Sequence, residues 1–164
     1  MKKRSLNILI VALAVVAVFA GMLVVYLNDA KDNFADSITL SNDGVTETVV
    51  SVNDLSLIPT QKKDYSISLQ AEIEGTFDVV LDFAETRDGG MKQFVLVTIK
   101  SGDSVVYEGG LSDLLDDTDV VFQVEIESGK AVDVNICYEM PESVGNEAQG
   151  TSADFDVHFR IEKV

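Results

Sequence analysis

Five stretches of this chain alternate apolar and polar residues with a period of two, and no other feature restricts its fold as much. Tyr65, Ile67, Leu69, Ala71 and Ile73 are separated by Ser66, Ser68, Gln70 and Glu72. The same pattern recurs at Phe77–Phe83, Val120–Ile126, Val132–Met140 and Phe155–Ile161. Successive side chains of a strand point to opposite faces, so each run presents one face to a core and one to water. Phe94 to Ile99 is apolar on both faces, which predicts a central strand. Glu47 to Val52 and Val105 to Tyr107 add two shorter strands, for about eight. Glu74-Gly75 and Ser128-Gly129 predict hairpins joining 65–73 to 77–83 and 120–126 to 132–140. Ser101-Gly102-Asp103 is a third turn of suitable chemistry. Only Leu111-Ser112-Asp113-Leu114-Leu115 reads as a helical turn, with Ser112 as its cap. The spacing predicts an all-β fold, an antiparallel β-sandwich.

Ahead of the strands lies a segment of another kind. Lys2, Lys3 and Arg4 precede an apolar run from Ile8 to Leu27 that holds neither a charge nor a proline. A helix of that length reaches about 30 Å, enough to cross a bilayer core. The basic residues lie only before it, so the positive-inside rule places the N-terminus in the cytoplasm and exports the remainder. Two alternatives stay open. Val18-Phe19-Ala20 offers a signal peptidase a cleavage site, whereas the length of the apolar run suits a retained anchor. The expected organisation is a signal peptide or transmembrane anchor at 1–27 and one extracellular domain at 28–164.

Without Lys2, Lys3 and Arg4 the exported part keeps nine basic residues against 28 acidic ones, a net charge of −19. Nucleic acid is excluded as a partner, because no basic stripe is present to neutralise phosphates. Solubility accounts for the charge, with divalent cations as the alternative partner. One cysteine, Cys137, rules out an intramolecular disulfide framework and multi-Cys metal sites. One histidine, His158, cannot supply the ligand set of a zinc hydrolase, and it is expected on the wet face of its strand near Asp156 and Arg160. No Gly-x-Ser-x-Gly elbow singles out a serine nucleophile. Cys137 falls on the side of Asp133, Asn135 and Glu139, an acidic setting that does not activate a thiol. Asp113, Asp116, Asp117 and Asp119 offer oxygens to calcium but lack the glycine and terminal Glu of a calcium loop. Weak calcium binding is the most they support, and a solvated loop is their default. No catalytic, cofactor-binding or metal-ligating set emerges, and the expectation is that this protein is not an enzyme.

Three further stretches carry a family resemblance. Tyr26-Leu27-Asn28-Asp29, followed by Asn33-Phe34-Ala35-Asp36-Ser37-Ile38-Thr39-Leu40, resembles the start of the TasA/camelysin family of exported Gram-positive proteins. In that family an aromatic-x-Asn/Asp-Asp junction leads into a Phe-Ala-x-Gly-x-Leu-x-Leu strand. Val50 to Pro59 is similar to the family's Leu-x-x-Leu-x-Pro-Gly-Asp element, with Thr60-Gln61 standing where Gly-Asp is usual. Asn146, Gln149 and Gly150 match its Asn-x-x-Gln-Gly signature. The resemblance implies a jelly-roll-like sandwich, export and assembly into fibres of the biofilm matrix. It also implies that residues 28–40 act as a donor strand for the next subunit, with Phe34, Ile38 and Leu40 as apolar anchors. Camelysin carries a metalloprotease assignment, which the single His does not support transferring. The expected function is thus a cell-surface or matrix structural protein that self-associates by strand pairing. The alternative is a membrane-anchored binding module for a cation or an envelope partner.

Overall fold

The computed structural model describes residues 35–41, 44–116 and 118–164. The expectations for the membrane segment, its cleavage site and Phe34 lie outside these residues. The described residues belong to one compact unit, Phe34–Val164.

Nine strands are found among them: β1 (Ala35–Leu40), β2 (Val45–Leu55), β3 (Lys62–Ala71), β4 (Gly75–Gly89), β5 (Leu96–Ser101), β6 (Ser104–Gly110), β7 (Val120–Ile126), β8 (Ala131–Glu139) and β9 (Ser152–Lys163). They form two sheets. Sheet A has the order β1-β3-β8-β5-β6 and sheet B the order β2-β9-β4-β7. The fold is all-β, as the alternation predicts. Pairing is antiparallel except between β1 and β3, which run parallel in register from Ala35–Ser66 to Leu40–Ala71. An antiparallel return would need a tight turn, whereas here β2 crosses to the other sheet between the two strands.

The buried faces follow the period-two reading closely. Tyr65, Ile67, Leu69 and Ala71 of β3 point inward with Val134, Ile136 and Tyr138 of β8. From sheet B come Phe77, Val79, Leu81 and Phe83 of β4, with Phe155, Val157, Phe159 and Ile161 of β9. All belong to one continuous core cluster, which fuses the two sheets. An aromatic series crosses it: the Tyr65 and Tyr138 rings meet edge-on with centroids 5.4 Å apart, and Tyr138 meets Phe155 at 5.6 Å. Phe155 continues to Phe83 at 6.1 Å. Such pairs add to what burial alone contributes.

Three expectations about local structure are corrected. β3 and β4 do not form a hairpin, nor do β7 and β8, because in each case the two strands lie in different sheets. Their connections instead arch across the core, and at the first of them the chain leaves the strand so that Ile73 stands 49% exposed. The tight hairpin among the described strands joins β5 to β6, with Gly102 at φ +55° beside Asp103 in the loop. A positive φ at the first central position is met by glycine at little steric cost. β5 does lie inside its sheet, but it is not buried on both faces: Phe94 sits in a preceding 3-10 turn and Leu96 is 48% exposed. Finally, α1 (Leu111–Leu115) is capped at Gly110, not Ser112. Asp113 reaches back to accept a hydrogen bond from the Gly110 N–H at 3.4 Å.

Candidate functional site

The sheet edges, the outer sheet faces and the β8–β9 connection hold the residues that the sequence singled out. β1 forms one edge of sheet A. Its Ile38 and Leu40 are buried against the core, while Ser37 and Thr39 face outward. The strand therefore docks onto its own domain through a parallel ladder and two apolar anchors, and its free edge remains unpaired among the described residues. An unpaired edge of this kind is a template for another strand.

The family-like stretch Asn146, Gln149 and Gly150 sits in the corner between β8 and β9. Asn146–Ala148 forms a single 3-10 turn, closed by the Gln149 N–H donating to the Asn146 carbonyl at 3.0 Å. Ala148 plugs into the core, and its carbonyl accepts from the Thr151 hydroxyl at 2.7 Å. Gly150 takes φ +74°, the left-handed region where glycine is favoured. Backbone N–H donors at Glu147 and Gly145 hold the Glu147 carboxyl below its ordinary pKa. Asn146 and Gln149 are exposed, and the stretch forms a corner that routes the chain from sheet A to sheet B.

Cys137 lies half-buried on the outer face of sheet A, opposite Asp64 on β3 and Thr98 on β5. Burial, and then a hydrogen bond from the thiol to the Asp64 carboxylate, push its pKa up from 9.0 to about 11. Nearby Lys62 pulls the other way but is engaged by Glu139 at 2.6 Å. Only the thiolate is nucleophilic, so a rise of that size leaves about a hundredfold less of it at neutral pH. The expected result is that alkylation by iodoacetamide keeps rising between pH 9 and pH 11, where an ordinary thiol has levelled off. Asp64→Asn, which removes the charge, brings the profile to lower pH. A plateau near pH 9 in the unaltered protein contradicts this environment.

His158 is half-buried on the outer face of sheet B, between Val49 of β2 and Asp82 of β4. Asp156 and Arg160 share that face on either side of it along β9, as the alternation predicts. Of the acidic stretch, Asp117 lies outside the described residues and Asp113 serves the start of α1. Among the described residues no group of three His, Cys, Asp or Glu converges on a point that could hold a metal ion. No described helix is long and apolar enough to cross a membrane.

Sequence reasoning missed one polar cluster. β4 bulges between Glu85 and Arg87, and β2 is irregular between Val52 and Leu55, where Asp54 has φ +53°. Asp154 of β9 ties the two together. It accepts the Asp54 N–H at 2.7 Å and the Arg87 Nε at 2.9 Å. The cluster is a clamp on two bulges, and no pattern in the sequence announces it because its members come from three strands far apart along the chain.

No protein-family model matches this sequence, and no curated protein matches it either. Among solved structures the chain is similar to the Aeromonas hydrophila periplasmic inhibitor of g-type lysozyme, PliG, at 8% identity and a TM-score of 0.37, covering 78% of this chain and 97% of that one. The Salmonella Typhimurium PliG gives 8% identity, a TM-score of 0.29 and coverage of 78% and 99%. A β-glucosidase from Paenibacillus barengoltzii gives 10% identity and a TM-score of 0.35, with 78% of this chain but 11% of the enzyme covered.

Proposed function

We propose that this protein is an exported structural subunit of the bacterial cell surface or biofilm matrix, of TasA/camelysin type, which assembles by passing β1 between copies. The observation that carries the reading is the position of β1. It is a short strand at a sheet edge, only residues 28–34 separate it in sequence from the N-terminal apolar segment, and it is held by a parallel ladder with Ile38 and Leu40 as its buried anchors. The groove that β1 fills in its own domain is the one a neighbour's β1 would fill, so exchange replaces each contact with an identical one.

Two local features support the family resemblance. Ile58-Pro59-Thr60-Gln61 is a turn closed by the Gln61 N–H on the Ile58 carbonyl at 2.9 Å, and Thr60 has φ +73°. That is the conformation in which a Pro-Gly turn places its glycine, and Thr60 stands at the family's Gly. Gly150 of the Asn-x-x-Gln-Gly stretch is likewise left-handed. A jelly-roll-like path, export through the 1–27 segment and the absence of enzymatic activity belong to the same reading.

Locking β1 in place tests it. Ser37 and Ser68 are register partners on the outer face of β1 and β3. Ser37→Cys and Ser68→Cys, combined with Cys137→Ser, would form a disulfide within one chain, since paired strands bring Cα atoms within bridging range. The full-length chain in non-ionic detergent is expected to stay monomeric when oxidised and to form oligomers when reduced, as followed by light scattering. Equal oligomerisation in both states overturns strand exchange. Monomers in both states overturn the structural-subunit reading.

A further inference from the structure

The outer face of sheet B is neither uniformly polar nor evenly charged. Cross-strand register arranges it in rows. The middle row runs Glu47 (β2), Arg160 (β9), Val80 (β4) and Val121 (β7). On one side of it lie Val49, His158 and Asp82, with Asp119 lining the same groove just before β7. On the other side lie Val45, Glu162, Asp78 and Gln123. Toward the β7 edge the result is an apolar floor of Val80 and Val121 between two carboxylate walls, Asp82 with Asp119 and Asp78 with Glu162. Val121 is 65% exposed, a large value for a β-branched apolar residue on a sheet face.

Two shallow grooves, of about 510 and 440 Å³, meet along this face and share Val80 and Arg160. Four strands set about 4.8 Å apart make the middle row roughly 14 Å long, with the Val80–Val121 floor at its β7 end, and adjacent rows are about 7 Å apart. An extended segment of about five residues spans about 17 Å. A second copy of this chain does not suit the face, because its exported part carries the same strong negative charge and would bring like charge against like.

We infer that the outer face of sheet B binds a cationic polypeptide segment in which Lys or Arg flanks apolar side chains. The apolar side chains sit on Val80 and Val121 while the flanking cations reach the two carboxylate walls. Neither part suffices alone: exposed carboxylates without the floor give only diffuse, salt-screened attraction, and the valines without the walls give no choice of charge. Arg160 is the one cation among the described residues that line these grooves, and it opposes such a ligand. Binding of this kind is a property beyond strand exchange and independent of it, since β1 belongs to the other sheet.

The experiment uses the full-length chain in non-ionic detergent and a fluorescein-labelled peptide, Lys-Ser-Val-Ser-Lys, whose Lys, Val and Lys side chains share one face at about 7 Å spacing when extended, read by fluorescence anisotropy at about 50 mM salt. The comparison peptides are Lys-Ser-Ser-Ser-Lys and Glu-Ser-Val-Ser-Glu. The valine-containing basic peptide is expected to bind at least tenfold more tightly than either. Asp78→Asn, Asp82→Asn and Glu162→Gln together should weaken it tenfold or more, Val80→Ser with Val121→Ser about tenfold, and Arg160→Gln should strengthen it several-fold. All these positions are on the outer face, and circular dichroism checks that each variant retains the fold. The inference is overturned if the unaltered protein binds none of the peptides, if the serine peptide binds as well as the valine one, or if the carboxylate variant binds unchanged. It is overturned too if Val80→Ser with Val121→Ser changes sedimentation of the protein instead of peptide affinity, because a second copy is then the occupant.

Discussion

Replacing Phe155 by alanine is expected to lower the free energy of unfolding by about 4 kcal/mol, the largest effect expected of any single truncation in this domain. Phe155 is 1% exposed and joins ring systems from both sheets: Tyr138 on the sheet A side, Phe83 within sheet B. Truncation leaves a cavity walled by two rigid sheets, which have little freedom to collapse into it. Urea denaturation followed by far-ultraviolet circular dichroism measures the loss. A cost below about 2 kcal/mol, the low end for removing so large a side chain, would show that the sheets can close on the gap. The aromatic series would then not set their spacing. Tyr138, in the same series, should respond with the opposite sign. Its hydroxyl is buried without a hydrogen-bond partner among the described residues, and burial pushes its pKa well above the ordinary phenol value. Tyr138→Phe removes an unsatisfied group and keeps the ring, for an expected gain of about 1 kcal/mol.

The second large effect concerns β1. Leu40→Ala and Ile38→Ala each delete a buried side chain, at about 3 kcal/mol for the first and somewhat less for the second. The double variant should fall short of their sum. Once the anchors cost more than β1 gains by docking, the strand leaves its ladder, and further truncation changes nothing in the rest of the domain. Hydrogen exchange measured by mass spectrometry distinguishes the cases. Loss of protection confined to residues 35–40 and to the partner amides of β3, with β9 still protected, is the expected result. Uniform loss across both sheets would mean that β1 is an integral strand, unable to be passed between copies.

Legibility in the sequence differs from one level of structure to the next. Alternation identifies which side chains of β3, β4, β8 and β9 turn inward, because that depends only on the geometry of a single strand. It does not identify neighbours. The inward residues of β3 and β4 are all odd-numbered and separated by the short connection at 72–74, and that phase serves a hairpin and a sheet-to-sheet arch equally well. The same holds for β7 and β8 across Ser128-Gly129. The β5–β6 turn was readable because Gly102 and Asp103 leave room for nothing but a tight reversal. Leu96 misled for another reason: an apolar residue on an interior strand can still face water, since a folded surface is largely apolar in any case. Among the candidate site residues, Ile38 and Leu40 are buried in the chain's own core. Their present partner, the chain's own β3, could not be inferred because a parallel ladder leaves no local mark in sequence. The Arg87–Asp154 clamp and the valine floor on sheet B were invisible for the same reason, being built by register between distant strands.

The place of β9 has a consequence in time. This strand is farther along the sequence than every other strand, yet it lies inside sheet B, bonded to β2 on one side and β4 on the other. Until residues 152–163 have been made and delivered, β2 and β4 cannot be bridged, and half of the core has no lid. Synthesis of the chain as far as Thr151 therefore yields no finished sandwich: every strand of sheet A has been made, but sheet B consists only of β2 and a separate β4–β7 pair with open edges. The delay leaves the unfinished edges of β2 and β4 exposed to neighbours, so a chain stalled before Ser152 would be the form most prone to aggregate.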